Sequence, residues 1–202
     1  MRVLPSGSTA LLVELDDLDA VLALHAALEA DRPPGVVDLV PAARTVLVVA
    51  DPAVTTLDDV EAAVRRARPR QGRRDSAESL EVPVAYDGED LGDVAAHLGV
   101  DPEEVVRRHT GTEWTVAFSG FAPGFGYLTP AEGTWDLPRR PSPRTRVPAG
   151  SVALAGSFTG VYPRESPGGW QLVGHTEVAV FDLARDPAAL LRPGVRVRFV
   201  PC

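Results

Sequence analysis

Between Ser119 and Leu128 the chain reads Ser-Gly-Phe-Ala-Pro-Gly-Phe-Gly-Tyr-Leu, alternating Pro123, Gly124 and Gly126 with the rings of Phe121, Phe125 and Tyr127. Glycine opens backbone angles closed to other residues, and proline fixes one angle while removing a donor. The spacing predicts a sharp bend that holds three rings beside unpaired backbone groups. Such a bend suits a wall for a small polar ligand, or a rigid docking edge for a partner. It equally suits a tight turn whose rings fill a core, because aromatic side chains bury large areas wherever they can. His109 precedes the strand that feeds the bend, and reads either as a site residue or as a cap on its own helix.

Elsewhere the residue types exclude more chemistry than they offer. No paired-carboxylate site, metal triad or Ser–His–Asp arrangement emerges from the spacing. All 20 basic residues are arginine. A side-chain Schiff base, a covalently attached biotin and a phosphate-loop lysine are therefore impossible in this chain. A wider reaction using ATP or biotin would draw those parts from a partner. The single cysteine, Cys202, excludes an intrachain disulfide and a multi-cysteine metal site. A nucleophilic role is not expected of it at a fraying terminus.

A net charge of −8 argues against nucleic acid and gives no help at an anionic membrane surface. With 45% hydrophobic and 24% charged residues, the 202-residue chain has ordinary globular composition and enough apolar side chains for a sizeable core. No secretory pattern opens the chain and no apolar run reaches membrane-spanning length, so a soluble cytoplasmic protein is expected.

The elements that must position the bend divide at about residues 76–79, predicting a small domain over 1–78 and a second over 79–202. The first reads as strands at Arg2–Leu4 and Ala10–Leu15 and a helix over Asp17–Glu29 capped by Asp16 or Asp17. Strands at Val36–Val40 and Thr45–Ala50 follow, then a helix from Leu57 to about Arg68 starting after Thr55 or Thr56. The order ββαββα predicts two helices covering one face of a sheet. His25 reads as a packing or surface residue of the first helix. The six arginines of Arg65–Arg74 read as a solvated helix end running into a linker.

In the second part Leu80–Ala85 is a strand, Asp90–Gly99 a short helix, and Asp101-Pro-Glu-Glu104 a strong helix start stopped by Gly111. The strand Trp114–Phe118 leads into the bend, and residues 129–142 form a polar excursion. Strands at Ser151–Ala155, Gln171–Val173 and Val195–Val200 lie between Gly/Pro turns, with a turn into Glu177–Phe181. Short strands at this turn spacing predict a closed or nearly closed β-barrel.

Four motifs occur here in order: Gly120-Phe-Ala-Pro-Gly-Phe-Gly-Tyr-Leu128, Pro143-Arg-Thr-Arg-Val-Pro-Ala-Gly-Ser-Val-Ala-Leu-Ala-Gly156, Thr159-Gly-Val-Tyr-Pro163 and Ser166-Pro-Gly-Gly-Trp170. Together they resemble the KipI/PxpB family, also called allophanate hydrolase subunit 1 or carboxyltransferase domain subdomain C/D. The resemblance is weak over 1–78 and specific over 80–181. It implies an α+β protein, with a small α/β N-terminal domain followed by a cyclophilin-like β-barrel.

For function the resemblance implies the B subunit of a three-component, ATP-dependent 5-oxoprolinase that opens 5-oxo-L-proline to L-glutamate. Partners would be the homologous C subunit, together with the A subunit, and ATP would be used by the complex rather than bound by this chain alone. The family also holds an inhibitor of a sporulation histidine kinase and domains of urea carboxylase/amidolyase, so a kinase-binding module and a urea- or allophanate-type amide component are the alternatives. A prolyl isomerase is suggested by the barrel alone and ranks last, since fold does not imply function.

If these motifs line the family's pocket, Arg144 or Arg146 would clamp a carboxylate or phosphoryl group, unless a surface salt bridge explains either. Ser151, Thr159, Tyr162 and Ser166 would hydrogen-bond an amide or carbonyl. Backbone amides at Gly124, Gly126, Gly168 and Gly169 would steady an oxyanion, and Phe125, Tyr127 and Trp170 would exclude water. Pro148, Gly150, Gly156 and Gly160 read more simply as turn residues.

Two departures bear on the substrate. Gly126 stands where many members have proline, and Gly174-His175-Thr176 replaces a common Gly-Arg-Thr. A His175 in place of that arginine would hold a carboxylate weakly at neutral pH.

Overall fold

The computed structural model describes residues 1–68 and 78–202. The chain divides into two compact units, Met1–Arg74 and Asp75–Cys202. The later residues of the arginine run, and Ser76 of the expected boundary, lie outside the described residues.

In the first unit β1 (Arg2–Ser6), β2 (Ala10–Glu14), β3 (Val36–Pro41) and β4 (Thr45–Ala50) form an antiparallel sheet in the order β1-β2-β4-β3. Helices α1 (Leu18–Ala30) and α2 (Leu57–Arg66) supply Val21, Leu24, Leu28, Val60 and Val64 to a core shared with Leu11, Val13, Val46 and Val48. Period-2 alternation along β4 sends Val46, Val48 and Ala50 inward. Asp17 caps α1 by accepting the Ala20 N–H at 2.8 Å, and Thr56 caps α2 by accepting the Asp59 N–H at 3.2 Å. The predicted ββαββα order holds, with α2 ending at Arg66 because Ala67 turns extended.

The second unit is the barrel. Strands β5 (Ser79–Val84), β6 (Trp114–Ser119), β7 (Gly126–Pro130), β9 (Ser151–Ala155), β10 (Phe158–Val161), β12 (Gln171–His175) and β13 (Arg196–Pro201) run in the order β12-β9-β10-β7-β6-β13-β5. The two edges meet. Ala85, directly after β5, exchanges 2.9 Å backbone hydrogen bonds with His175 at the end of β12, and Gly88 N–H and Asp90 N–H donate to Val173 and Leu172. The backbone of 85–90 is thereby zipped along β12, which removes the sheet's exposed edge.

Helices α3 (Leu91–Leu98) and α4 (Pro102–Gly111) pack against each other, α3 reaching β12 and α4 reaching β13. A two-stranded flap, β8 (Arg144–Val147) with β11 (Ser166–Gly168), stands apart from the main sheet. Sequence patterning missed four strands, β7, β8, β10 and β11, because glycine and proline there read as turn formers. Of the expected polar excursion, Thr129 and Pro130 belong to β7, and the rest keeps an irregular backbone that buries Trp135 and Leu137, tied down by paired Leu137–Gly156 hydrogen bonds and by Arg140 N–H donating to Gly169. Glu177–Phe181 joins no strand and makes only a bridge from Phe181 to Ala189. No helix among the described residues is long and apolar enough to cross a membrane.

All five residues of β9 are buried, so both faces of that strand are covered. Val152 and Leu154 face a core containing Trp114, Trp135, Leu128 and Phe199. Ala153 and Ala155 face a separate cluster of Phe125, Val147, Tyr162, Trp170 and Leu172.

Candidate functional site

The bend forms where expected, as the connection between β6 and β7. Phe118 and Ser119 pair with Tyr127 and Gly126, and the loop closes through Gly120 N–H to Phe125 O at 3.2 Å and Phe125 N–H to Ala122 O at 3.0 Å. Its rings separate into two roles. Phe125 is buried and meets Tyr127, Tyr162 and Trp170 edge-to-face with centroids 5.1–5.4 Å apart. These rings fill a core. Gly160 makes room for them, since a Cβ there would stand 2.9 Å from Phe125 Cζ.

Phe121 is different: 57% exposed, it is the only described non-glycine residue at positive φ, 65°. An exposed aromatic held in the left-handed region is a strained placement of the kind that gathers at functional surfaces. Pro123 beside it is exposed as well, and Gly124, at φ 81°, lies under the Phe181 ring.

Tyr162 is buried with its ring edge towards Phe121, centroids 6.1 Å apart, and its hydroxyl against Gly168, where any Cβ would overlap it. Burial raises the Tyr162 phenol above its ordinary value, opposed by the charges of Arg139 and Arg144. Burial likewise raises Tyr127, again opposed by Arg139. Two tyrosine hydroxyls and two guanidiniums therefore share one neighbourhood.

The centre of that neighbourhood is a residue the sequence marked only as a helix start. Asp90, 1% exposed, occupies the N-cap position of α3 but makes no side-chain cap there. Its carboxylate accepts from Arg140 Nη1, from Arg144 Nη2 at 2.9 Å and from the Leu172 N–H at 2.7 Å. Burial alone would raise the Asp90 carboxyl. Hydrogen bonds from Arg144 and Leu172, with the charges of both arginines, hold it below the usual carboxylate range. Arg144, with 14% of its side chain exposed, also donates to the exposed Glu89 at 2.9 Å, and the bond to Asp90 raises its own pKa. The guanidinium is thus anchored within an ion cluster, which fixes the direction of its donors.

The other expected residues scatter. Arg146 makes the surface ion pair, 2.6 Å from Glu165 with 75% of its side chain exposed. The Ser166 hydroxyl donates to Arg164 O at 2.9 Å. Ser151 is buried at the start of β9, opposite His175. Gly168 pairs with Arg144 across the β8–β11 flap, and Gly169 O accepts the Arg140 N–H.

Thr159 lies wholly inside the barrel, on the opposite side of the sheet from the aromatic cluster. Its hydroxyl donates to Ala153 O at 3.1 Å and accepts from His109 Nε2 at 2.9 Å, while Tyr86 OH donates to His109 Nδ1 at 2.7 Å. His109 is fully buried, stacked on Phe199 at 4.5 Å, and burial pushes it down to about 3. It neither points at the bend nor caps its helix; it is a neutral member of a satisfied interior network.

His175 sits at the barrel seam. Its Nδ1 lies 2.8 Å from Asp87, whose hydrogen bond raises the imidazole pKa, and it lines a 240 Å³ cavity with Pro83, Ala85, Glu177 and Cys202. That cavity shares no residue with the aromatic motifs. Arg140 and Asp90 were missed because Asp90 meets Arg140 and the Leu172 amide across 50 and 82 positions.

Comparison with known proteins agrees with this architecture. The model for the carboxyltransferase domain, subdomain C and D, matches residues 1–191. The chain is 44% identical over 172 residues to the B subunit of 5-oxoprolinase from Escherichia coli O157:H7, covering 83% of this chain and 79% of that one. The crystal structure of TTHA0988 superposes with a TM-score of 0.75 at 40% identity, over 96% of this chain but only 40% of TTHA0988. The K. lactis urea amidolyase matches at a TM-score of 0.78 with 19% identity, over 99% of this chain and 15% of that one, a likeness of fold alone. Two units of this topology, the ordered motifs and the match over residues 1–191 place the chain in the carboxyltransferase-domain subdomain C and D family.

Proposed function

We propose that the chain is the B subunit of a multi-subunit, ATP-dependent 5-oxoprolinase that opens 5-oxo-L-proline to L-glutamate, with its active site shared with the A and C subunits as partners. The observation that carries this reading is the 44% identity to the E. coli protein over 79% of that protein's length. The geometry supports a shared site. This chain contributes a rigid aromatic wall and an arginine cluster, while its one interior imidazole is held neutral and fully bonded. The match to 40% of TTHA0988 is in keeping with a fold that works beside further chain.

The residues present do not fit ATP. The glycines of the bend lie in a β-hairpin connection rather than at a helix start, and no lysine is available to reach phosphates. In this reading a partner holds the nucleotide, and the chain's own residues bind and orient the lactam and keep water from it.

Co-expression with candidate A and C subunits, followed by assay of ATP-dependent glutamate release from 5-oxoproline, tests the proposal. Turnover only with all three chains is the expected result. A stable complex active on urea instead would replace the substrate, and absence of both complex and turnover would overturn the reading in favour of a kinase-binding module.

A further inference from the structure

Around Asp90 two guanidiniums are concentrated in a chain of net charge −8: Arg140 and Arg144 meet a buried Asp90 and a solvent-facing Glu89, with Arg139 adjacent in sequence. Two buried guanidinium nitrogens there, Arg140 Nε and Arg144 Nη1, have no hydrogen-bond acceptor among the described residues. Arg144 Nη1 stands 2.9 Å from Asp90 Oδ2, an ion-pair distance, but makes no hydrogen bond to it. Buried donors left unpaired cost stability and call for an acceptor. The charge of Arg139 reaches both the Tyr127 and the Tyr162 hydroxyls, which adds two neutral donors to the same neighbourhood.

We infer that Arg140 and Arg144, held in place by Asp90 and flanked by Arg139 and the Tyr162 hydroxyl, form a binding subsite for a small oxyanion. Asp90 is a positioning residue here. It anchors both guanidiniums against the β12 backbone through the Leu172 N–H, so their remaining donors keep a fixed direction. Planar guanidiniums match a carboxylate or phosphoryl group through paired N–H bonds, where an ammonium would present a single point of charge. The inference rests on the shared-site reading above for its choice of probe, a lactam bearing a carboxylate.

Titration of the isolated full chain with 5-oxoproline, with 2-pyrrolidone (the same lactam without the carboxylate) and with inorganic phosphate tests it, following arginine Nε–Hε resonances by NMR. Saturable shifts at Arg140 with 5-oxoproline and none with pyrrolidone are expected, and would identify a carboxylate as the ligand. Shifts with phosphate alone support the subsite with a phosphoryl group as its ligand. Arg140→Gln should weaken binding about tenfold or more, and exposed Arg139→Gln, which leaves the Asp90 cluster intact, should weaken it by a smaller factor. Equal binding of pyrrolidone, wild-type binding by both variants, or no saturable shift with either anion overturns the inference. No partner is needed, so turnover by the complex without anion binding here would sink the subsite alone, and anion binding without complex formation would sink the proposed function alone.

Discussion

Strand β9 serves two faces of the barrel sheet, and the two are built on opposite terms. On the inner face, Val152 and Leu154 pack with Trp114, Leu128 and Phe199, and the polar groups nearby, Tyr86, His109 and Thr159, complete one another's hydrogen bonds. On the outer face, Ala153 and Ala155 lie under Phe125, Tyr162 and Trp170, and beyond those rings stand two unbonded guanidinium nitrogens and a strained, exposed Phe121. A neutral, saturated network specifies a fold and offers nothing to a ligand. Unsatisfied donors and backbone strain gather on the outer face, which is why the proposed subsite is placed there.

The sharpest way to separate the faces is to weaken each. Trp114→Ala on the inner face removes a fully buried ring and should cost about 4 kcal/mol of stability, read as a shifted denaturation midpoint. Asp90→Asn on the outer side keeps the shape but strips two part-buried guanidiniums, those of Arg140 and Arg144, of their carboxylate. A loss of about 3 kcal/mol is expected, and a variant as stable as the parent would show that solvent already screens the cluster.

The inner face and the barrel seam should also differ in their response to acid. Folding lowers the His109 pKa from 6.5 to about 3, so its stabilising contribution is fully present above pH 6.5 and shrinks as pH falls towards 3. Stability at pH 5 should lie about 2 kcal/mol below that at pH 7.5 from this group. His175 has the opposite sign. Its raised pKa makes the Asp87 pair stabilising below the unfolded value, and that help is lost as pH rises through the folded one. Urea titrations followed by tryptophan fluorescence report the second unit selectively, because Trp114, Trp135 and Trp170 all belong to it. A dependence unchanged in His109→Gln would break the assignment.

Smaller effects sharpen the outer face alone. Phe121→Gly relieves the positive φ but loses the ring contacts, and stability should move by no more than about 1 kcal/mol. Complex formation with the proposed A and C subunits should fall in the same variant, which pull-down would read. Arg146→Ala should change stability by no more than about 0.5 kcal/mol, since its pair with Glu165 is exposed.

Much of the frame was legible in the chain itself. The helices declared themselves through caps and apolar spacing, as Asp101 with Pro102 at the start of α4 illustrates, its carboxylate accepting the Glu104 N–H at 2.6 Å. The aromatic bend announced its turn through Pro123 and Gly124. Strands β7 and β10 stayed hidden because their glycines admit neighbours, Leu191 and Val116 at Gly126 and Phe125 at Gly160, and that reason exists only once those side chains are in place. Arg144 was legible as a candidate, whereas the carboxylate that holds it was not, because Asp90 read only as the first residue of a short helix.

What the sequence determined by itself was everything set by local spacing: the ββαββα unit, the bend, the absence of lysine chemistry, and the ordered motifs that carry family membership. What only the tertiary structure decided was which polar groups meet. Asp90 touches arginines 50 and 54 positions away and an amide 82 positions away, and His109 meets Thr159 across 50. Those meetings depend on barrel closure, where the sheet edges join through Ala85 and His175. No local rule of spacing encodes them, because the energy that selects them is shared among every strand that closes the sheet.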